Sequence, residues 1–342
     1  MTGSPVQRAC RVVVTGGAGF IGSHLVDLLL AEGHSVTCVD NFATGRSQNI
    51  DQHAGNPRFC LVRADVSDLA AILPAFRGAE WVFHLAALAD IVASIERPLD
   101  YHRSNVDGTA AVLEAARQSG VQRLIYAASS SCYGLAETFP TPETAPIRPV
   151  YPYALTKYIG EQYVLHWSQV YRLPCVSLRL FNVFGPRART TGTYGAVFGV
   201  FLAQKLAGKP LTVVGDGRQT RDFTFVTDVA RAFLQAARHS VAGEVFNIGS
   251  GGTYSVNSLV ALLDGEIVQI PKRPGEPDCT FADTRKAAAV LGWTPLVRFD
   301  DGVRMMLRHI DEWWDAPVWD TESIARATER WFAYLGPGRA TS

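Results

Sequence analysis

The chain has 342 residues, 47% of them hydrophobic, enough to bury a large core and to divide into two domains. Lys+Arg and Asp+Glu both total 32, so the net charge is zero and no overall field draws in nucleic acid or an anionic membrane. The opening "MTGSPVQRAC" has no apolar signal core and no later run reaches the length of a membrane span, which predicts a soluble, cytoplasmic protein.

Six cysteines (Cys10, Cys38, Cys60, Cys132, Cys175 and Cys279) are scattered without paired spacing. Several fall in predicted strands, so they read as buried reduced thiols, and no metal site is expected.

In chain order, the first half alternates short apolar strands with helices: "RVVVTG", a helix from Ser23, "SVTCVD", "RFCLVRAD", "WVFHLAA", a helix after Asn105, "RLIYAAS", a helix from Tyr153, and "PCVSLRLFNVFG". Such alternation implies right-handed crossovers and a parallel sheet covered on both faces, an α/β fold of the Rossmann-type, doubly wound class. After Gly185 the loops lengthen, as in "GKPLTVVGDGRQTRDF" and "IPKRPGEPD", and the helix "TDVARAFLQAARHS" has Thr227 as a plausible cap. The expected division is a dinucleotide-binding domain over 1–181 and a smaller mixed α/β substrate domain over 182–336. "GEVFNIGS" (243–250) reads as a strand returning to the main sheet. The Trp-rich tail "IDEWWDAPVWDTESIARATERWFAYLG" is read as a helix packed back on the body, with a partner-binding surface as the alternative.

"VVVTGGAGFIGSHLVDLLL" sets Gly16, Gly19 and Gly22 between a strand and a helix. Gly16 permits the tight turn, Gly19 lets backbone amides approach a pyrophosphate, and Gly22 lets the helix pack closely on the strand. Asp40 ends the next strand, where a carboxylate accepts from a ribose diol and repels a 2′-phosphate, which favours NAD over NADP. The expected cofactor surface comprises Gly16, Gly19, Phe20, Ile21, Gly22, Asp40, Asn41, Asp65, Val66, Leu85, Ala86 and Ala87, together with Tyr153 and Lys157. Asp65 reads equally well as a strand-end turn cap, and His84 as a structural histidine.

"VYPYALTKYIGEQ" places Tyr153 and Lys157 four apart on one helix face. A free phenol has a pKa of about 10. A neighbouring ammonium and a cationic nicotinamide are expected to lower it toward the range of a useful base.

Together "TGGAGFIG", "HLAA", "SSSCYG" and "YALTK", in this order, resemble the extended short-chain dehydrogenase/reductase superfamily, specifically its nucleotide-sugar epimerases and dehydratases. "LRLFNVFGPR", "GDGRQTRDFTFVTDVA", "FNIGSG" and "RPGEPDCTFADTRKA" continue the likeness through the second half. The resemblance implies that Ser129 bridges the reacting hydroxyl and Tyr153. It implies further that Tyr153 takes the sugar 4-hydroxyl proton and that Lys157 holds the nicotinamide ribose. Dehydratases of this group follow the catalytic Ser or Thr with an Asp-Glu pair, and decarboxylating members carry a Glu there. This chain has Ser130 and Ser131, which do not titrate near neutrality, so elimination has no obvious agent and 4-epimerisation is the favoured reading.

By the same resemblance Arg221, Arg273 and Asn182 hold a pyrophosphate, with Glu276 beside them. For Arg221 a salt bridge to Asp222 or another surface acid stays open as the alternative. The loop "TTGTYGAVFGVF" (190–201) is similar to the segment along the uracil in UDP-sugar epimerases. Thr280 stands where side-chain bulk limits the sugar 2-substituent, so N-acetylhexosamines are expected to be admitted beside plain hexoses. Asp90 departs from the small neutral residues of relatives; it either meets the sugar or caps the next helix. Helices over 100–119 and 153–171 correspond to those that pair into a four-helix bundle in dimeric relatives, implying a homodimer. A 4-ketoreductase or a dehydrogenase shares these motifs, a 4,6-dehydratase is a further alternative within the same family, and a non-catalytic NAD(H) sensor is the reading from another class.

Overall fold

The computed structural model describes residues 8–190 and 195–336. Seven parallel strands form the central sheet: β1 (Arg11–Thr15), β2 (Ser35–Asp40), β3 (Phe59–Arg63), β4 (Trp81–His84), β5 (Arg123–Ser129), β6 (Cys175–Leu180) and β7 (Glu244–Ile248). Their order is β7-β6-β5-β4-β1-β2-β3. β5 and β6 are buried along nearly their whole length because helices cover both faces of a parallel sheet. β3 lies at the edge and pairs with β2 alone, which leaves Cys60 exposed rather than buried. Cys10, Cys38, Cys132 and Cys175 are buried as expected, and all six thiols are free.

The chain winds outward from β1 to β2 and β3 on one side, then returns to β4 on the other. The crevice between the carboxyl ends of β1 and β4 is therefore the topological switch point, where open α/β sheets bind ligands. Helix α1 (Phe20–Ala31) leaves the sheet there. A buried histidine ties the neighbouring strands: His84 shares short hydrogen bonds with Thr15 Oγ1 at 2.7 Å and Thr109 Oγ1 at 3.0 Å. Burial, seconded by the Lys157 charge, pushes its pKa down to about 3, so His84 is a neutral structural bridge.

Helix α2 (Ile91–Glu96) follows β4, and α3 (Pro152–Val170) follows β5. The helix α4 (Val226–Arg238) packs across α1, and its first residue precedes Thr227, so Thr227 lies in the first turn instead of capping it. Phe225 holds the cap position without a side-chain bond. A second apolar cluster gathers Phe184, Phe198, Phe223, Phe225 and Phe299 with buried Trp313. Phe20 and Ile21 of α1 pack against it, so the two halves share a seam beside the switch point.

The tail divides its tryptophans. Trp313 and Trp331 are buried, whereas Trp314 is 77% exposed. Trp331 belongs to the last helix, α5 (Thr321–Leu335), which begins at a capping box between Asp320 and Ser323 and packs against α2. Among the described residues no helix is long and apolar enough to cross a membrane, and no cluster of His, Cys, Asp and Glu has the arrangement of a metal site.

Candidate active site

Two close backbone approaches shape the crevice. Gly16 has φ +70°, and a Cβ there would lie 2.7 Å from the Ala86 nitrogen. A Cβ on Gly22 would lie 2.1 Å from the Gly16 carbonyl oxygen. The loop is thus closed to side chains, and α1 opens with Gly19 at its cap, with no capping side chain and no acid in its first turn. Unsatisfied amides at a helix N-terminus without an acid favour a phosphate. Leu85 and Ala86 bond back to Thr15 through their amides, which holds "HLAA" against the cradle.

At the end of β2, Asp40 is buried and accepts from the amides of Ala18, at 3.0 Å, and Phe42, at 2.8 Å. Burial raises its pKa, opposed by those two amides. Each oxygen retains a lone pair for a further donor. Asn41 donates to Asp65 Oδ2 at 3.0 Å, joining the ends of β2 and β3, while Val66 is buried beneath. Asp65 also accepts from the amide and hydroxyl of Ser67, so it does act as a turn cap. Burial raises the Asp65 pKa, but the Ser67 and Asn41 donors outweigh it and leave the carboxyl below its ordinary value.

At the end of β5 the chain turns sharply through Ser130–Tyr133. Ser129 Oγ lies 2.8 Å from Ser131 Oγ and accepts from the Ser131 amide at 3.2 Å. The Ser129 side chain also reaches the Tyr153 phenol. α3 carries Tyr153 at its start, just after Pro152, and presents Lys157 one turn on. The Lys157 ammonium is buried, stands 4.3 Å from the centroid of the Tyr126 ring, and has no hydrogen-bond partner among the described residues. Glu161 is one further turn along, but its carboxylate is taken by Arg179 at 2.6 and 2.9 Å and by Ser177 Oγ at 3.0 Å. Burial pushes the Lys157 pKa down to about 7, opposed by Glu161. A buried ammonium left without an acceptor fits a pair of ribose hydroxyls.

The expectation for Tyr153 needs correction. Burial raises its pKa, the Ser129 bond opposes this, and the Asp90 charge raises it further. The Lys157 ammonium lies against Tyr126, and the charge that does bear on the phenol is that of Asp90. The protein alone keeps Tyr153 protonated.

Asp90 precedes α2 but makes no side-chain cap. Its amide donates to Tyr101 Oη at 3.1 Å, and its carboxylate pairs with the guanidinium of Arg189. Thus the helix-cap alternative fails: the side chain engages Arg189 instead.

Arg221, Arg273 and Glu276 lie together, and the pairing seen is the salt-bridge alternative, made to Glu276. Both guanidinia grip Glu276: Arg221 at 2.9 Å, and Arg273 at 2.8 and 3.1 Å. Arg221 does not pair with Asp222. That carboxylate is fully buried, with its pKa pushed up to about 6, and accepts from the amides of Ser250 and Ala282. Thr280 Oγ1 donates to Asn182 Oδ1 at 2.7 Å and accepts from the Asp222 amide, so these two candidates adjoin. Clefts of about 510 and 360 Å³ both have Glu276 in their walls. Of the segment 190–201, residues 191–194 lie outside the described residues.

Several contributors were not foreseen. Trp331 donates to the Pro274 carbonyl at 2.7 Å, lies under the Arg273 guanidinium at 5.3 Å, and touches Tyr151, which in turn stacks parallel to Tyr153. Arg179, a lone cation inside the apolar "CVSLRL", was the visible sign of the buried network with Glu161 and Tyr133. Arg189 and Tyr151 gave no sequence signal beyond their proximity to motifs.

A dinucleotide cradle at the switch point, with Ser, Tyr and Lys meeting beside it, defines an extended short-chain dehydrogenase/reductase. The NAD dependent epimerase/dehydratase family model matches residues 12–249, and the chain belongs to that family, with NAD as its cofactor. It is 37% identical over 302 residues to the UDP-glucose 4-epimerase of Mycolicibacterium smegmatis, covering 86% of this chain and 96% of that one. Among solved structures it is similar to a Thermotoga maritima UDP-glucose 4-epimerase with UDP-glucose, at TM-score 0.83 and 35% identity over 88% of this chain and 99% of the other. It is also similar to a Bacillus cereus UDP-glucuronic acid 4-epimerase in complex with UDP-glucuronic acid and NAD, at TM-score 0.81 and 33% identity, covering 88% and 99%.

Proposed function

We propose that this protein is an NAD-dependent epimerase that inverts the 4-hydroxyl of a UDP-sugar through a transient 4-keto sugar. UDP-glucose and UDP-galactose, or their N-acetylamino forms, are the proposed substrates. The observation that carries this reading is the convergence of Ser129, Tyr153 and Lys157, with the acid-free Ser130 and Ser131 at the end of β5.

The residues present fit the cofactor: the glycine cradle takes the pyrophosphate, Asp40 the adenine-side ribose, and Lys157 the nicotinamide ribose. NAD supplies a hydride acceptor that returns what it takes, and a positive charge beside the phenol. Tyr153 accepts the proton of the 4-hydroxyl and later gives it back; Ser129 hydrogen-bonds the same hydroxyl and keeps it aligned. Arg221, Arg273 and Asn182 hold the diphosphate, for which Glu276 stands in between turnovers. Thr280 leaves room at the sugar 2-position. Epimerisation, not elimination, follows because neither Ser130 nor Ser131 protonates a leaving hydroxyl.

We further propose that residues 182–336 supply most of the substrate contacts, residues 1–181 most of the cofactor contacts, and that the protein acts in the cytoplasm. Incubation with UDP-, GDP-, CDP- and dTDP-sugars followed by proton NMR of the ring tests the reading. Interconversion of 4-epimers with no net change at the NADH absorbance is expected. A product lacking its 6-hydroxyl, or released NADH, would instead establish a dehydratase or a dehydrogenase.

A further inference from the structure

The relatives include enzymes for neutral UDP-sugars and for UDP-glucuronic acid, at nearly equal identity. Overall likeness therefore does not separate the two substrate classes. One ion pair does.

We propose that the Asp90–Arg189 pair restricts this enzyme to sugars with no carboxylate next to the 4-hydroxyl. This deepens the epimerase reading and rests on it for the placement of the sugar. Asp90 sits at the head of α2, which packs on α3, the helix that begins with Tyr153. Its backbone is fixed by the bond from its amide to the buried Tyr101, and its side chain is held by Arg189. A hydroxyl bound to Tyr153 brings its neighbouring ring substituents toward this carboxylate. The 6-hydroxymethyl of a hexose donates a hydrogen bond to Asp90 and is welcome there. A 6-carboxylate offers no donor and meets a like charge inside a partly buried site.

Arg189 is the natural partner for a substrate carboxylate, because a guanidinium forks onto one. Here that guanidinium is already occupied from within the chain. Asp90 thus does two things: it repels an acid and withholds the cation that would receive it. Lys157, one helical turn after Tyr153, is buried against Tyr126 and does not substitute.

The test measures binding and turnover separately, for the wild type, Asp90→Asn, Asp90→Gly and the double variant Asp90→Asn/Arg189→Met. UDP-glucose and UDP-glucuronate are the probes, in calorimetry on the NAD-loaded protein and in NMR assays of epimerisation. The wild type is expected to prefer UDP-glucose by about 10- to 100-fold in affinity, the scale of the charge-assisted contact that the occupied guanidinium does not make. Asp90→Asn and Asp90→Gly should each shift the glucuronate-to-glucose affinity ratio upward by about 10-fold or more. The double variant should lose that gain, because the freed guanidinium is gone. Two single variants of different size guard against a local packing effect, and melting curves confirm that each is folded. Equal affinity of the wild type for both nucleotides, or an unchanged ratio in both single variants, overturns the proposal. If the ratios shift as expected but no epimer forms from either sugar, the discrimination stands and the 4-epimerase reading falls.

Discussion

The indole nitrogen of Trp331 donates to the carbonyl oxygen of Pro274 at 2.7 Å, tying the last helix to the loop that carries Arg273 and Glu276. The same ring lies under Arg273 and against Tyr151, whose ring stacks on Tyr153. A residue of the last helix thus touches both the proposed diphosphate clamp and the neighbour of the proposed base. Trp331→Ala is expected to cost about 3–5 kcal/mol of stability, as for other buried tryptophans, and to raise KM for the UDP-sugar more than it lowers kcat. Trp331→Phe keeps the ring contacts and loses about 1 kcal/mol with the hydrogen bond. Melting curves and steady-state kinetics of the two variants check this.

Tyr153→Phe removes the proton acceptor and leaves the stack on Tyr151. Turnover should fall by roughly 100- to 10,000-fold, the usual worth of a positioned acid–base group, while bound NAD is retained. Full turnover in this variant would remove Tyr153 from its role.

Arg221 sits in a nearly closed site, 7% exposed, and its guanidinium shares Glu276 with Arg273. Arg221→Leu takes away a charge-assisted contact worth about 1.5–3 kcal/mol. KM for the nucleotide sugar should rise about 10- to 100-fold with a smaller change in kcat, and UDP alone should weaken as a competitive inhibitor by the same factor.

Lys157 leaves a pH signature in the cofactor-free protein. Its pKa is lowered from 10.5 to about 7 in the folded chain, so the folded state binds fewer protons than the unfolded state between those values. The stability it permits is present above the unfolded value and is lost as pH falls through the window toward pH 7. The wild type should therefore melt higher at pH 9 than at pH 7. Lys157→Met should lack this rise and gain most over the wild type at the lower pH. A flat difference between the two proteins across this range would contradict the burial argument.

On α3, Leu155, Tyr163 and Val170 are exposed, as is Tyr171 just after it, and the nearby Trp167 nitrogen is buried without a partner. Such a face suits the proposed homodimer, in which two copies pair their helices. Light scattering should give twice 37.2 kDa, and Leu155→Asp with Tyr163→Asp should give the monomer.

Much of this protein is legible in one dimension. The glycine spacing, the apolar strands and the Tyr-x-x-x-Lys spacing are local patterns, since turn geometry, sheet burial and helix periodicity depend on near neighbours. They gave the α/β class, the places of the first six strands along the chain and the glycines of the cradle. What they left open depends on residues far apart in the chain. Asp90 and Arg189 are 99 positions apart, and Arg221 and Glu276 are 55 apart. Whether Asp90 caps a helix or engages an arginine, and whether Arg221 takes Asp222 or Glu276, is decided by which segments the fold brings together. The same holds for charge: Lys157 and Glu161 stand one turn apart and look like a pair, yet Arg179 from β6 claims the carboxylate and leaves the ammonium against Tyr126. Local spacing sets which side chains share a face, and only tertiary packing decides which of them find each other first.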